Sequence, residues 1–221
     1  MPGIDRTRIN ARGWRHYNGA QDIEVAVLMT YAIDGRGWLH GVARKVSPNR
    51  DARPAGVGVE VLVIHSISLP EGHYGGPDVE RLFMNELDVS PRGYPDLEGL
   101  RVSAHLFIRR DGEIMQFVSF EDRAWHAGVS RCEGRERVND FSVGIELEGT
   151  DHGPFEEAQY RSLVAVSEAL LHRYPAINEK RVYGHSDIAP GRKTDPGPHF
   201  DWAQYRDALR SRVDGMRGGE G

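Results

Sequence analysis

The segment Gly184-His185-Ser186-Asp187-Ile188-Ala189-Pro190-Gly191-Arg192-Lys193-Thr194-Asp195-Pro196-Gly197 holds a histidine, a lysine and an aspartate in one proline-stiffened loop. Imidazole and carboxylate are metal ligands, and a mobile cation beside them can clamp a developing negative charge. The combination points to metal-assisted hydrolysis. His65 is the natural further ligand, because it closes the apolar run Val57-Gly58-Val59-Glu60-Val61-Leu62-Val63-Ile64 and a strand holds its side chains rigidly. Two histidines and an aspartate leave a fourth position for water, as at a catalytic zinc, whereas a structural zinc is closed by four ligands, usually with cysteine. The chain has one cysteine, Cys132. The wide spacing fits no short metal motif, so on these residues alone ordinary hydrogen-bonding histidines stay an open reading. His16, His40, His73, His152, His172 and His199 take that ordinary reading outright.

The elements that must position these residues can be read from periodicity. The 57–64 run is β-branched and almost continuously apolar, which predicts a strand buried on both faces and ending at His65. Residues 181–184 predict a second strand that delivers His185. Leu106 to Val118, interrupted by Asp111-Gly112, predicts a hairpin. Phe141 to Glu148 alternates, with Val143, Ile145 and Leu147 on one face and Gly144, Glu146 and Glu148 on the other. Tyr160, Leu163, Val164, Ser167, Leu170, Leu171 and Tyr174 recur at helical spacing before Pro175. Shorter helices are predicted over Asp78–Glu86 and Trp202–Val213. Strands and helices interleave without a regular βαβ rhythm, so the fold class expected is mixed α/β: one domain with a central mixed sheet flanked by helices.

Composition bounds the function. With 221 residues, 39% hydrophobic and 28% charged, the chain describes a single globular domain. A net charge of -5 offers no basic field for nucleic acid, and the arginines of 131–137 read as a solvated loop. Residues 1–34 are rich in Arg and Gly without sustained period and read as a flexible or loosely docked extension. The catalytic domain is expected over 35–213 and a disordered tail over 214–221. The charges within residues 1–22 leave no apolar export segment, and no run is long enough for a membrane span, so a cytoplasmic protein without membrane partners is expected.

Five segments recur in the order seen in one known family: Val63 to Pro70, Leu100 to His105 with the hairpin after it, Arg123 to Ser130, Asn139 to Thr150, and the His185 to Pro198 loop. Over residues 35–210 the chain resembles the AmpD-like N-acetylmuramoyl-L-alanine amidases. The resemblance implies the mixed-sheet fold shared with phage-type amidases and peptidoglycan recognition proteins. It also implies cleavage of the amide between anhydro-N-acetylmuramic acid and L-alanine in recycled cell-wall fragments. Carried over by position, it makes His65, His185 and Asp195 the ligands of one zinc ion, with Glu146 and Lys193 as the catalytic pair. Taken singly, Glu146 is a solvent-facing strand residue and Lys193 a surface charge; the ordered motifs raise both.

A muropeptide presents a sugar and an anionic stem, which call for an aromatic surface and guanidinium forks. Trp125, Arg101 and Arg192 are the expected contacts, and His126 and His105 are candidates for orienting the ligands. Ser66 departs from the family's asparagine, Ser186 from the cysteine of some relatives, and Ala104 from the catalytic tyrosine of the phage-type branch. The competing readings are a broad amidase on intact peptidoglycan and a peptidoglycan-binding module without catalysis. Leu69–Pro77 and Ser130–Asn139 are the segments expected to form any lid.

Overall fold

The computed structural model describes residues 30–90 and 94–218. In chain order the strands are β1 (Ala43–Arg44), β2 (Arg50–Ala52), β3 (Val61–Ile67), β4 (Leu106–Ile108), β5 (Ile114–Gln116), β6 (Asp122–Ala124), β7 (Arg131–Cys132), β8 (Arg135–Glu136), β9 (Ser142–Glu148) and β10 (Val182–Gly184). The α-helices are α1 (Asp78–Phe83), α2 (Glu157–Arg173), α3 (His185–Ile188) and α4 (Trp202–Gly218). The main sheet runs β1-β5-β4-β9-β3-β10, with every pairing parallel except the β4–β5 hairpin. This is the mixed sheet expected.

Period-two alternation divides the chemistry of β3 and β9 between two faces. Leu62 and Ile64 of β3 join Val143, Ile145 and Leu147 of β9 in a core completed by Leu163, Val166 and Leu170 of α2 and Tyr205 and Leu209 of α4. Each such side chain contributes about 1.5–3 kcal/mol on burial. On the opposite face, Val61 and Val63 pack with Ala127, Val138, Phe141 and Ile188, while Phe107 packs with Val79, Leu82 and Phe83 around α1. His65 and Glu146 lie on this second face, between its two apolar clusters.

Four elements differ from expectation. β3 starts at Val61 and continues past His65 to Ile67, because parallel pairing with β9 runs through all seven residues. His65 is therefore held on both sides along the strand. α1 stops at Phe83, and Asn85 turns the chain with φ 60. α4 continues to Gly218, past the expected end at Val213, where Val213 packs on the core and Arg212 pairs with Glu168 of α2. The tail expected from 214 thus begins as helix. Of the extension expected over 1–34, residues 1–29 lie outside the described residues; Tyr31 and Ile33 pack against the core, and Ile33 bridges Leu39.

Arg53 ties the site-bearing face together. Its guanidinium donates to the carbonyls of Phe120, Asn139, Asp140 and Ser142, joining the segment before β6 to the start of β9. Burial lowers its pKa to about 10, so it remains a cation at neutral pH. Arg53→Met should cost about 2–4 kcal/mol, because the carbonyls it serves lose a charged donor in a site that water reaches poorly. Urea unfolding of the two proteins measures this, and equal midpoints would contradict it.

Candidate metal centre

The β3–β9 register places His65 directly beside Glu146. β10 pairs with the other side of β3 and ends at Gly184, so His185 opens α3 next to His65. The loop after α3 then returns Asp195, whose carbonyl accepts the Ser186 N–H at 3.0 Å. Three atoms converge: His65 Nδ1 and His185 Nδ1 are 2.9 Å apart, and each is 3.1 Å from Asp195 Oδ2. All three residues are buried.

The outer ring nitrogens indicate what the inner ones carry. His185 Nε2 is 3.1 Å from the Ala127 carbonyl oxygen, which only accepts, so in the neutral ring Nε2 holds the proton and Nδ1 a lone pair. His65 Nε2 is 2.9 Å from His126 Nδ1, and His126 Nε2 is 3.1 Å from Ser142 Oγ. With each Nε2 donating outward along this chain, His65 Nδ1 is bare as well. Burial lowers the His65 pKa to about 4, which keeps the ring neutral at pH 7. Two lone pairs and a carboxylate then face one another without a proton between them, and a cation relieves that repulsion. Edges of this size suit a metal bonded to each atom at about 2.0–2.1 Å. The three residues could hold a metal ion.

His126, one of the two candidates for orienting the ligands, stands directly behind His65. It occupies the space made by Gly144: a Cβ there would lie 2.4 Å from His126 Cγ and 2.5 Å from Nδ1. Gly144 also donates its N–H to His105 Nδ1 at 3.0 Å, and His105 packs edge-on to His126. The signal was available in the alternation of β9, where a glycine shares a face with Glu146, but only the fold shows which ring fills the gap.

Glu146 Oε1 is 4.0 Å from His65 Nδ1, and Oε2 is buried without a hydrogen-bond partner. Burial, reinforced by the charge of Asp195 and partly countered by Lys193, raises its pKa well above the ordinary carboxyl value. A carboxyl in that state can take a proton and return it. Lys193 is exposed, and its charge acts on both Glu146 and His65.

The expected substrate contacts are placed unevenly. Arg192 Nη2 donates to the Ala127 and Val129 carbonyls at 2.6 and 2.7 Å and lies 3.4 Å from His185 Nε2. It lines a cavity of about 560 Å³ with Val129, Arg131, Arg137, Ile188 and Pro190. Trp125 is half-buried immediately before His126, and its Nε1–H donates to Asp51 at 3.3 Å. Arg101 is exposed in a separate groove with Leu82, Leu87, Val89 and Leu97. Both expected lid segments carry ties: Gly75 N–H donates to Glu148, and β7 and β8 form a short hairpin within 130–139.

Residues 52–198 match the family model described as N-acetylmuramoyl-L-alanine amidase. The chain is 55% identical over 174 residues to the 1,6-anhydro-N-acetylmuramyl-L-alanine amidase AmpD of Escherichia coli (strain K12), covering 77% of this chain and 93% of that one. The crystal structure of a Se-Met AmpD derivative superposes with TM-score 0.75 at 54% identity, covering 80% of this chain and 98% of the other. The amidase AmiD from E. coli, solved with the substrate anhydro-N-acetylmuramic acid-L-Ala-D-gamma-Glu-L-Lys, gives TM-score 0.51 at 30% identity, covering 80% and 65%.

Gly144→Ala should weaken metal binding about 10–100-fold by displacing His126 from His65. Competition against a chromophoric chelator reads this directly, and an unchanged affinity would remove His126 from the site. Acid should destabilise the metal-free protein. Burial lowers His105 to about 3 and His65 to about 4, below the unfolded value, so unfolding takes up protons as pH falls below about 6.5. Stability is complete above that pH and is lost toward pH 4, by up to about 1.4 kcal/mol per pH unit for each histidine. Urea midpoints at pH 7.5 and 5.0 check the sign.

Proposed function

The chain belongs to the N-acetylmuramoyl-L-alanine amidase family, and from that premise we propose that it hydrolyses the amide between anhydro-N-acetylmuramic acid and L-alanine in muropeptides, using one zinc ion held by His65, His185 and Asp195. The observation that carries this reading is the convergence of those three ligand atoms beside Glu146, within a chain 55% identical to an amidase named for the 1,6-anhydro substrate. The triangle of two nitrogens and one oxygen, with edges of 2.9–3.1 Å, suits zinc, whose common ligands include imidazole and carboxylate.

When bound there, zinc supplies an acidified water and polarises the amide carbonyl. Glu146 takes the proton from the attacking water and delivers it to the alanine nitrogen as the C–N bond breaks. The water oxygen stays on the lactyl carbonyl carbon, so the products are a free carboxylate and a free amine. The raised pKa of Glu146 favours this double duty, because a more basic carboxylate accepts more readily and still returns the proton to an amine. Lys193 stabilises the oxyanion of the tetrahedral intermediate, a contribution of about 3 kcal/mol for donors of this kind. Trp125 packs on the sugar, while Arg101 and Arg192 attract the carboxylates of the stem. Of these, Arg192 has the support of lining a cavity while its guanidinium lies 3.4 Å from His185 Nε2.

In this reading the catalytic unit spans 35–213 and works in the cytoplasm on free fragments returned from the wall. Among the described residues, no helix is long and apolar enough to cross a membrane.

Zinc-loaded protein incubated with anhydro-muramyl tripeptide should release free peptide, followed by mass spectrometry, and should leave intact peptidoglycan uncut. Release from the intact wall would move the function to wall hydrolysis, and release from neither would favour a binding module. Glu146→Gln and Lys193→Ala should each lower kcat by about 10²–10³ while zinc stays bound. Wild-type turnover in either variant would remove that residue from the mechanism.

A further inference from the structure

We infer that Asp151 is a positioning residue for this reaction: its two carboxylate oxygens clamp the strand carrying His65 to the loop carrying Lys193 and Asp195. The inference rests on the roles proposed above for those three residues. Asp151 lies in the turn that follows β9, the strand of Glu146. Its Oδ1 accepts from Ser66 Oγ at 3.1 Å, and Ser66 is the residue after His65. Its Oδ2 accepts from Thr194 Oγ1, and the chain neighbours of Thr194 are Lys193 and Asp195. The same loop also rests on the Asp151 backbone at Gly197, which has φ 85; a Cβ there would lie 2.5 Å from Asp151 Cα and 2.7 Å from its carbonyl oxygen.

The other ties on this segment show why Asp151 matters. Lys193 N–H donates to Ala189 at 3.1 Å, and the Asp195 carbonyl accepts from Ser186 at 3.0 Å. Both partners belong to the same loop and its helix, so these bonds set the loop's internal shape. Arg192 fastens it to Ala127 and Val129 on one flank. Asp151 references it to β3 and β9, the strands that bear His65 and Glu146. Ser66 is thereby engaged with Asp151, which gives the serine at this position a defined task in this chain.

Magnitudes separate positioning from plain stabilisation. The Thr194 hydroxyl is exposed, so water replaces a lost bond at little cost to folding. A catalytic group displaced by about 1 Å, by contrast, can lose about 10²-fold in rate. Asp151→Ala should therefore lower kcat about 10–100-fold with KM within about threefold, weaken zinc about tenfold, and leave the melting temperature of the metal-free protein within a few degrees. Thr194→Val should reproduce the loss, and the double variant should be no worse than Asp151→Ala, as expected for two residues of one contact. Asp151→Asn, which keeps one acceptor, should recover part of the turnover.

Wild-type kcat in Asp151→Ala, or losses that add in the double variant, would overturn the clamp. If the wild-type protein releases no peptide from the muropeptide, the amidase reading fails separately. Zinc competition then decides the clamp: affinity about tenfold weaker in Asp151→Ala upholds it, and equal affinity overturns it.

Discussion

Parallel pairing of Val61–Ile67 with Ser142–Glu148 is the constraint on which the site depends. The side-chain period of a strand is two, so a slip of one residue would send His65 or Glu146 into the α2-facing core and its apolar neighbours onto the polar face. The pairing resists such a slip because both strands are interior to the sheet and both of their faces are packed. One face is continuous hydrocarbon under α2 and α4. The other leaves a gap between two apolar clusters, and the converging atoms of His65, His185 and Asp195 fill it. Hydrophobic burial on one side thus fixes the coordinates of the chemistry on the other.

Four buried imidazoles occupy that gap: His185, His65, His126 and His105. Burial disfavours the charged forms of His65, His126 and His105, and Arg53 close to His105 adds to that effect. Neutral rings are what a metal requires, since a protonated nitrogen cannot ligate. The same burial that weakens the metal-free protein in acid therefore keeps the His65 ring neutral at neutral pH. A bound cation would turn the convergence of lone pairs from a source of repulsion into a source of stability, linking metal affinity to folding.

The proposed catalytic pair is supported by two different kinds of structure. Glu146 stands on an interior strand paired on both sides, with one carboxylate oxygen sunk and without a hydrogen-bond partner. Lys193 stands on an exposed loop with no strand pairing. Reaction geometry requires the two to agree in position, and the loop must therefore be referenced to the sheet by contacts outside itself. The Arg192 bonds and the Asp151 carboxylate are such contacts.

Much of the fold was legible in the chain because its signals are local. Alternation in 141–148, the Asp-Gly hairpin and the helical spacing of 160–174 each depend on neighbours a few residues apart. Residue types and the motif order also drew His65, His185, Asp195, Glu146 and Lys193 together by resemblance. Strand limits were less legible: β3 ends where its partner ends, two residues beyond His65, and nothing in its own composition marks that point. His126 was legible only as a candidate for orienting the ligands, and Gly144, Arg53 and Asp151 were invisible as site residues, because their partners lie far away in the chain. The sequence by itself determined which elements form, which face of each is apolar and which donor types are available. Only the tertiary structure decided which ring stands behind His65 and which carboxylate holds the loop, because a hydrogen bond between distant residues exists only once packing has brought both ends to within about 3 Å.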